Sequence, residues 1–472
     1  MPILTNSVTD RDYDLLYDAY TGSGGFLDGS YLFRHKREDV RDFDIRRKQA
    51  CYSNFTRVIV NSLVNPIFKK TIVRDYDGNT MLDAFVNDVD GLGTSLTSFM
   101  HKAAKWARLY SKVFLVMDNF TDEQMAGNRQ DAIEHRQFPY LYIVRPNQVT
   151  DFVCDKYGRF SSFSYRVRST MSKTDLREDA KSDEWTWTEG VWRVKHDDQT
   201  VSSGENSLGL VPVVTLSAID DEDDNPLPVP DMLHIARENR DLYNRDSEKR
   251  EILRNQCFPV LVYPMTQNAA YQAKQAQENG EPFTLDIGTN NMLNVDANAS
   301  HMPAFIAPPM EPVQMLQTEM ERLIEDMFRQ ANLTSVLAIQ TKQSGVAKQW
   351  DFEETTNTLA DAAENCENAE KRIFGLFLRW TNTDVRDLKI KYPRTFNITD
   401  VEDELQKAQQ MKDLLVGGNI VHREIDRKAA QVYFADIDDA HYDDVMDEIE
   451  QEPEETQRIE SEQAAAVTNE EA

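Results

Sequence analysis

The chain has 472 residues, 40% of them hydrophobic and 28% charged, with a formal net charge of −29. That length and balance predict a globular protein of several modules, with no run of about 18 apolar residues to span a membrane and no basic-then-apolar start to act as a secretory signal. The acid excess excludes a protein that grips DNA through many clustered Lys and Arg, since such a grip works by displacing counterions from phosphates. Loose contact with DNA stays open, because an acidic wall repels phosphate and prevents sticking. The cysteines, Cys51, Cys154, Cys257 and Cys366, lie far apart with no CxxC pair, so no zinc or redox motif is expected and buried free thiols are.

Residues 10–20 predict a short helix. Thr21, Gly22, Ser23, Gly24 and Gly25 have the glycines of a phosphate loop, but no Lys-Ser or Lys-Thr follows, so a flexible turn is expected. A helix is expected over 46–69, ended or kinked by Pro66. Residues 67–74 look like a strand, with Asp77, Gly78 and Asn79 as a turn. A second helix over 92–106, capped near Thr94 or Ser95, leads into an apolar strand at 111–118.

From 139 to 198 the hydrophobic period changes to two. Strands are expected at 140–144, 149–153, 160–168, 185–187 and 191–194, with hairpin turns at Tyr157-Gly158 and Glu189-Gly190. The clustered Trp and Tyr there could stack on bases, but cross-strand packing is the better reading. One more strand is expected at 210–216. The acidic run 220–224 lacks the spaced ligands and turn glycine of a calcium loop, so it reads as a solvated loop.

Asp231 is a good N-cap for a helix running to about 256. Met232, Ile235, Ala236, Leu242 and Tyr243 mark its apolar side, and the rest is laced with alternating charge. Residues 258–263 read as a strand. Residues 264–309, rich in Gln, Asn, Ala, Gly and Pro, read as irregular, with one strand at 282–287.

Val313, Leu316, Met320, Leu323, Ile324, Met327, Phe328 and Ala331 make one apolar stripe on a helix. Leu359, Ala362, Ala363, Cys366, Ala369, Ile373, Phe377 and Trp380 make a second, longer one. Between them, 333–345 favours helix less, and Ser344-Gly345 is a breaker. On this pattern alone the pair is an ordinary helical hairpin.

Residues 389–392 read as a strand. Thr399 and Glu402 form a capping box for a helix carrying Leu405, Ala408, Met411, Leu414 and Leu415, which stops at Gly417-Gly418. Another helix is expected over about 422–433. From Asp436 onward there are fifteen acids against one base, Arg458, and the tail lacks the apolar residues to form a core. No HExxH, GxSxG, P-loop or dinucleotide fingerprint is present. His422 and Asp426, one turn apart, read as a surface pair. No nucleophile has a base near it in sequence, so an enzyme is not expected, nor a cofactor or metal.

The fold class is therefore α+β, mainly helical, and the order of its parts resembles the portal proteins of tailed double-stranded DNA bacteriophages. Local stretches are similar to siphophage-type portals: Gly29-Ser-Tyr-Leu-Phe-Arg34, Arg46-Arg-Lys-Gln-Ala50, Tyr52-Ser-Asn54, Val60-Asn-Ser-Leu-Val64 and Pro66-Ile-Phe-Lys69. So are Ser344-Gly-Val-Ala347 opening a long helix and Leu415-Val-Gly-Gly-Asn-Ile-Val421 between two helices. The resemblance spans roughly residues 10–450. It implies an α/β wing at 1–230, a first stem helix at 231–256, a clip at 257–309 and a second stem helix at 310–332. A tunnel loop at 333–345, a long wing helix at 346–388, a helical crown at 389–450 and an acidic disordered tail at 451–472 complete it.

What the resemblance implies is a ring of twelve subunits at one capsid vertex. It would be the channel for genome packaging by the large terminase and for ejection, with a head-completion adaptor docking later. The major capsid protein and scaffold are further implied partners, and the virion is the implied location. Ile339, Gln340, Thr341, Lys342, Gln343 and Ser344 would line the channel and touch DNA, with Lys342 on phosphate and Gly345 as hinge. Arg237, Arg240, Arg245, Lys249, Arg250 and Arg254 would lie at the subunit interface. The rival readings are a metal-dependent nucleic-acid-processing enzyme using the acidic run 220–224, and a minor capsid or scaffold protein without a channel.

Overall fold

The computed structural model describes residues 8–396 except 120–128, 169–181, 197–198, 219–224, 257–259, 263–266, 281–303, 307–309, 334–344, 384, 386–387 and 395. In chain order the N-terminal part holds α1 (Asp10–Thr21), α2 (Gly25–Asp28), α3 (Val40–Gln49), α4 (Phe55–Val64), β1 (Val73–Asp75), α5 (Thr80–Asn87), α6 (Leu96–Tyr110) and β2 (Lys112–Asp118). Next come α7 (Arg129–Glu134), β3 (Tyr140–Val144), β4 (Val149–Cys154), β5 (Phe160–Arg168), β6 (Ser182–Thr188), β7 (Val191–His196), β8 (Gln199–Glu205) and β9 (Val213–Ser217). The rest is α8 (Met232–Gln256), β10 (Val260–Val262), α9 (Gln267–Glu278), β11 (Ala304–Ile306), α10 (Glu311–Gln330), α11 (Gly345–Thr381) and β12 (Lys389–Lys391). The protein is mixed α+β.

Strand β2 divides the interior. It pairs antiparallel with β3 on one side and β9 on the other, and all seven of its residues are buried. Side chains alternate across a strand, so Val113, Leu115 and Met117 face the main core while Phe114 and Val116 face a second one. The second core lies against the antiparallel meander β4-β5-β6-β7-β8 and contains Phe163, Tyr165, Trp187 and Val211.

The main core is built by helical stripes. On α6, Leu96, Phe99, Met100, Ala103, Ala104 and Ala107 recur at helical spacing and are all buried. On α11 the stripe is Leu359, Ala363, Cys366, Ala369, Ile373, Phe374 and Phe377. Within that apolar stripe sits Glu370, with no exposed surface at all. Arg74 on β1 meets it with two guanidinium hydrogen bonds, the longer at 3.1 Å, and the Tyr392 hydroxyl donates to it at 2.6 Å. Because β1 pairs with β12, this cluster ties the small sheet to the long helix.

Helix α8 enters the same core through Met232, Leu233, Ile235, Ala236, Leu242 and Tyr243. Three buried polar residues interrupt its stripe, and each is satisfied by the N-terminal segment. Asn239 Oδ1 accepts from the Tyr52 hydroxyl (2.7 Å), the Phe55 N–H (3.1 Å) and the Thr56 N–H (3.1 Å), and its Nδ2 donates to the Ser53 carbonyl (2.9 Å). Asn239 thus caps the start of α4 from another element, beside the helix's own cap, Asn54. Asn244 accepts from the Phe33 N–H (2.7 Å) and donates to the Tyr31 carbonyl (3.1 Å). Ser247 accepts from Arg46, which Glu38 also holds at 2.7 Å.

Several expectations are corrected. The helix expected over 46–69 is two helices and a turn: the chain breaks after Gln49 because Asn54 caps a new start, its Oδ1 accepting from the Arg57 N–H at 2.8 Å. Pro66 lies in a short 3-10 turn, Asn65–Phe68, so the following strand is only Val73–Asp75. Asn79 is an N-cap rather than simply a turn residue, and α5 follows it. The segment expected to be irregular holds α9, whose Ala, Gln, Lys and Glu are good helix formers, and β11, which pairs with β10. Strand β8 was not expected. The expected buried thiols are mixed, with Cys366 buried but Cys51 exposed.

The glycine run at 21–25 is a built turn, not a flexible one. Asp18 accepts from the Ser23 hydroxyl (3.0 Å), the Gly25 N–H (3.4 Å) and the Tyr31 hydroxyl (2.8 Å). A carboxylate of the chain itself stands where a phosphate loop would hold its anion. Gly24, at φ +52°, is pressed so closely on Asp18 that a Cβ there would meet the carboxylate at 2.0 Å. The acidic run 220–224, the strand at 282–287 and everything from 397 onward, including the capping box, His422, the crown and the tail, lie outside the described residues.

Candidate functional site

Helices α8 and α10 form an antiparallel hairpin. Gln330 donates to Glu238 at 2.6 Å near one end, and Arg245 lies 3.8 Å from Glu319 further along. Residues 257–309 join the far ends, starting and finishing in the antiparallel ribbon β10–β11. At the near end α10 is rooted in the core by Met327, Phe328 and Ala331, with Phe328 edge-on to Phe55 at 6.3 Å. Asn332 then turns the chain with φ +56°, and the Thr355 hydroxyl donates to its carbonyl. The chain therefore turns at Asn332 beside a point ten residues into α11, and Leu333, which follows, is still buried in the main core. The ten residues of α11 before Thr355 span about 15 Å.

The residues expected to touch DNA, Ile339, Gln340, Thr341, Lys342, Gln343 and Ser344, lie outside the described residues; Gly345 is the first residue of α11. The six expected interface cations each have a partner in their own chain. Arg237 pairs with Asp12 at 2.8 Å, and the Arg240 guanidinium lies 5.6 Å from the Phe33 ring centre. Arg245 pairs with Asp241 at 3.0 Å, and Lys249 and Arg250 share Asp246 at 3.5 and 2.7 Å. Arg254 donates to Gln49 at 3.1 Å. Most of these pairs are three or four residues apart on one helix or reach the adjoining N-terminal segment. The charge alternation is thus accounted for within one chain, each exposed pair contributing about 0.3–0.5 kcal/mol.

A second feature was missed in the sequence. Where the meander meets the end of β2 and α11, a cleft of about 420 Å³ is lined by Asp118, Tyr140, Trp185, Trp187, Trp192, Glu205 and Trp380. Strand alternation predicts that Trp185 and Trp187 share a face; the cross-strand register then sets Trp187 opposite Trp192. Trp380, on α11, is remote in sequence, and no local pattern could have joined it to them.

Burial holds the Asp118 carboxyl above its usual pKa of 3.8, against hydrogen bonds from the Asn119 N–H (2.8 Å) and the Tyr140 hydroxyl (3.1 Å). The folded state binds this proton more tightly than the unfolded chain does. The ionised group therefore costs stability above its folded pKa, and the cost vanishes as pH falls below the unfolded value. Asp118→Asn is expected to raise Tm at neutral pH and to lose that advantage by about pH 4. A difference in Tm that does not change with pH would show that burial of charge is not the cause.

No family model and no curated protein matches the chain. Among solved structures it is similar to a chain in the virion of a native gene transfer agent (GTA) particle, 9% identical, over 89% of this chain and 94% of that one, with a TM-score of 0.42. A chain in the neck of an empty GTA particle, computed with C6 symmetry, is 11% identical over 79% of this chain and 90% of its own, at 0.45. An HK97 family phage portal protein from Corynebacterium diphtheriae is 10% identical over 72% and 92%, at 0.33.

Proposed function

We propose that this chain is the portal subunit of a tailed-phage-type particle: a non-enzymatic ring at one capsid vertex through which double-stranded DNA enters and leaves. One observation carries the reading. The α8/α10 hairpin has residues 257–309 between its far ends, and at its near end Asn332 turns the chain beside Thr355 of the long helix α11. That is the sequence of stem, clip, stem, tunnel loop and wing helix that the resemblance implies. In this reading the α/β part up to residue 230 is the wing and residues 257–309 are the clip, which docks the terminase and then the adaptor. The wing side meets the major capsid protein and scaffold. Arg237 and Arg250, with side chains 47% and 51% exposed beyond their own partners, and the exposed Arg254 are the best placed of the six cations to reach a neighbouring subunit.

In this reading residues 339–344 line the narrowest part of the channel. One Lys342 per subunit makes a thin positive collar inside an acidic ring, so each phosphate contact is weak and quickly exchanged. Negative-stain imaging of the purified protein is expected to show closed rings of about twelve copies. A monomer with metal-dependent nuclease activity would overturn the portal reading in favour of an enzyme. In particles, Lys342→Glu and Gly345→Pro are expected to lower DNA packaging or retention while rings still form. Normal packaging and retention of full-length DNA by both would remove the tunnel-loop assignment.

A further inference from the structure

The cleft beside β2 has a specific chemistry. Trp185 and Trp192 lie with ring centres 6.0 Å apart and planes 21° from parallel, and Trp380 reaches in from α11. The Trp192 indole lies flat across Gly204, its register partner on β8. A Cβ at Gly204 would sit 2.6 Å from the indole nitrogen, so only glycine leaves room for that ring position. Two carboxylates border the same space. Asp118 is 8% exposed, and no cation pairs with it among the described residues. Glu205 is exposed at the rim and makes no ion pair among the described residues either.

We propose that this cleft is an aromatic cage that takes a Lys or Arg side chain from an extended basic segment of a different polypeptide. Indole faces are negative and attract a cation laid over them, while the aliphatic stem of such a side chain covers apolar ring surface. Asp118 and Glu205 supply the counter-charge. The space of about 420 Å³ admits one long side chain and some of its own backbone. A second copy of this chain is the poorer occupant, because at a net charge of −29 it approaches the acidic rim with like charge. The inference does not rest on the portal reading, and ring imaging does not bear on it.

The test uses the full chain, with the peptide acetyl-Gly-Arg-Gly-Arg-Gly-amide and its citrulline counterpart, which keeps the shape of arginine and lacks the charge. Tryptophan fluorescence and calorimetry at low salt are the readouts. The arginine peptide is expected to bind and change the fluorescence, and the citrulline peptide not to. Glu205→Gln, an exposed change that leaves packing intact, should weaken binding several-fold, and Gly204→Val, which displaces Trp192, by about tenfold or more. Equal binding of the two peptides, no binding of the arginine peptide, or unchanged affinity in Glu205→Gln overturns the cage. Sedimentation in which Glu205→Gln or Gly204→Val abolishes self-association of the protein would make the occupant a second copy and overturn the choice of partner.

Discussion

Asn239→Leu is expected to destabilise the protein by about 3–5 kcal/mol, one of the two largest losses from a single substitution. The side chain is 1% exposed and serves donors from three residues, Tyr52, Phe55 and Thr56. Leucine fits the volume but leaves the Thr56 N–H buried without an acceptor, takes the second acceptor from the Phe55 N–H, and leaves the Ser53 carbonyl only the Phe55 N–H as donor. Asn239→Asp keeps the acceptor but loses the donor and buries a charge, so its loss should shrink at low pH as the carboxyl is protonated, while that of the leucine variant should not. Denaturant melts of the two variants check this. A loss below about 1 kcal/mol for the leucine variant would show that Asn54 caps α4 unaided.

Glu370→Ala should cost a similar amount, about 3–5 kcal/mol, because it leaves the Arg74 guanidinium charged in a site where its side chain is 11% exposed. The Tyr392 hydroxyl, otherwise donating to Glu370, is stranded with it. Replacing both charges, Arg74→Met with Glu370→Leu, should recover most of that loss, since a well-packed apolar pair avoids the desolvation of two ions. If the double variant is as unstable as the single one, the ion pair is not the coupled unit described here.

Much of the fold could be read from the sequence where one signal dominated. The apolar run that became β2, the alternation of the meander and the stripes of α8, α10 and α11 are strong periodic patterns, and the structure places them close to where they were expected. The errors fall where local chemistry outranked periodicity. Asn54 and Asn79 act as helix caps at points where hydrophobic spacing says nothing, and α9 is helical by propensity in a stretch whose Asn, Pro and Gly content suggested a loop. The cleft was the least legible feature. It needs Asp118, Trp192 and Trp380 from three distant elements. The hydrogen-bonding role of Asn239 was equally hidden, because on α8 it reads as one more polar residue on a charged face.

Cys366 faces the main core from the middle of α11, and its surroundings give the chain a built-in clock. Burial and the nearby Glu370 push its thiol up to about 12. Only the thiolate attacks a labelling reagent, so in the closed protein this sulfur is inert, whereas the exposed Cys51 is open to reagent from the start. Slow modification of Cys366 therefore counts the moments when α11 lifts from the core. The count needs no introduced probe, and it can be taken on an isolated subunit and on an assembly alike.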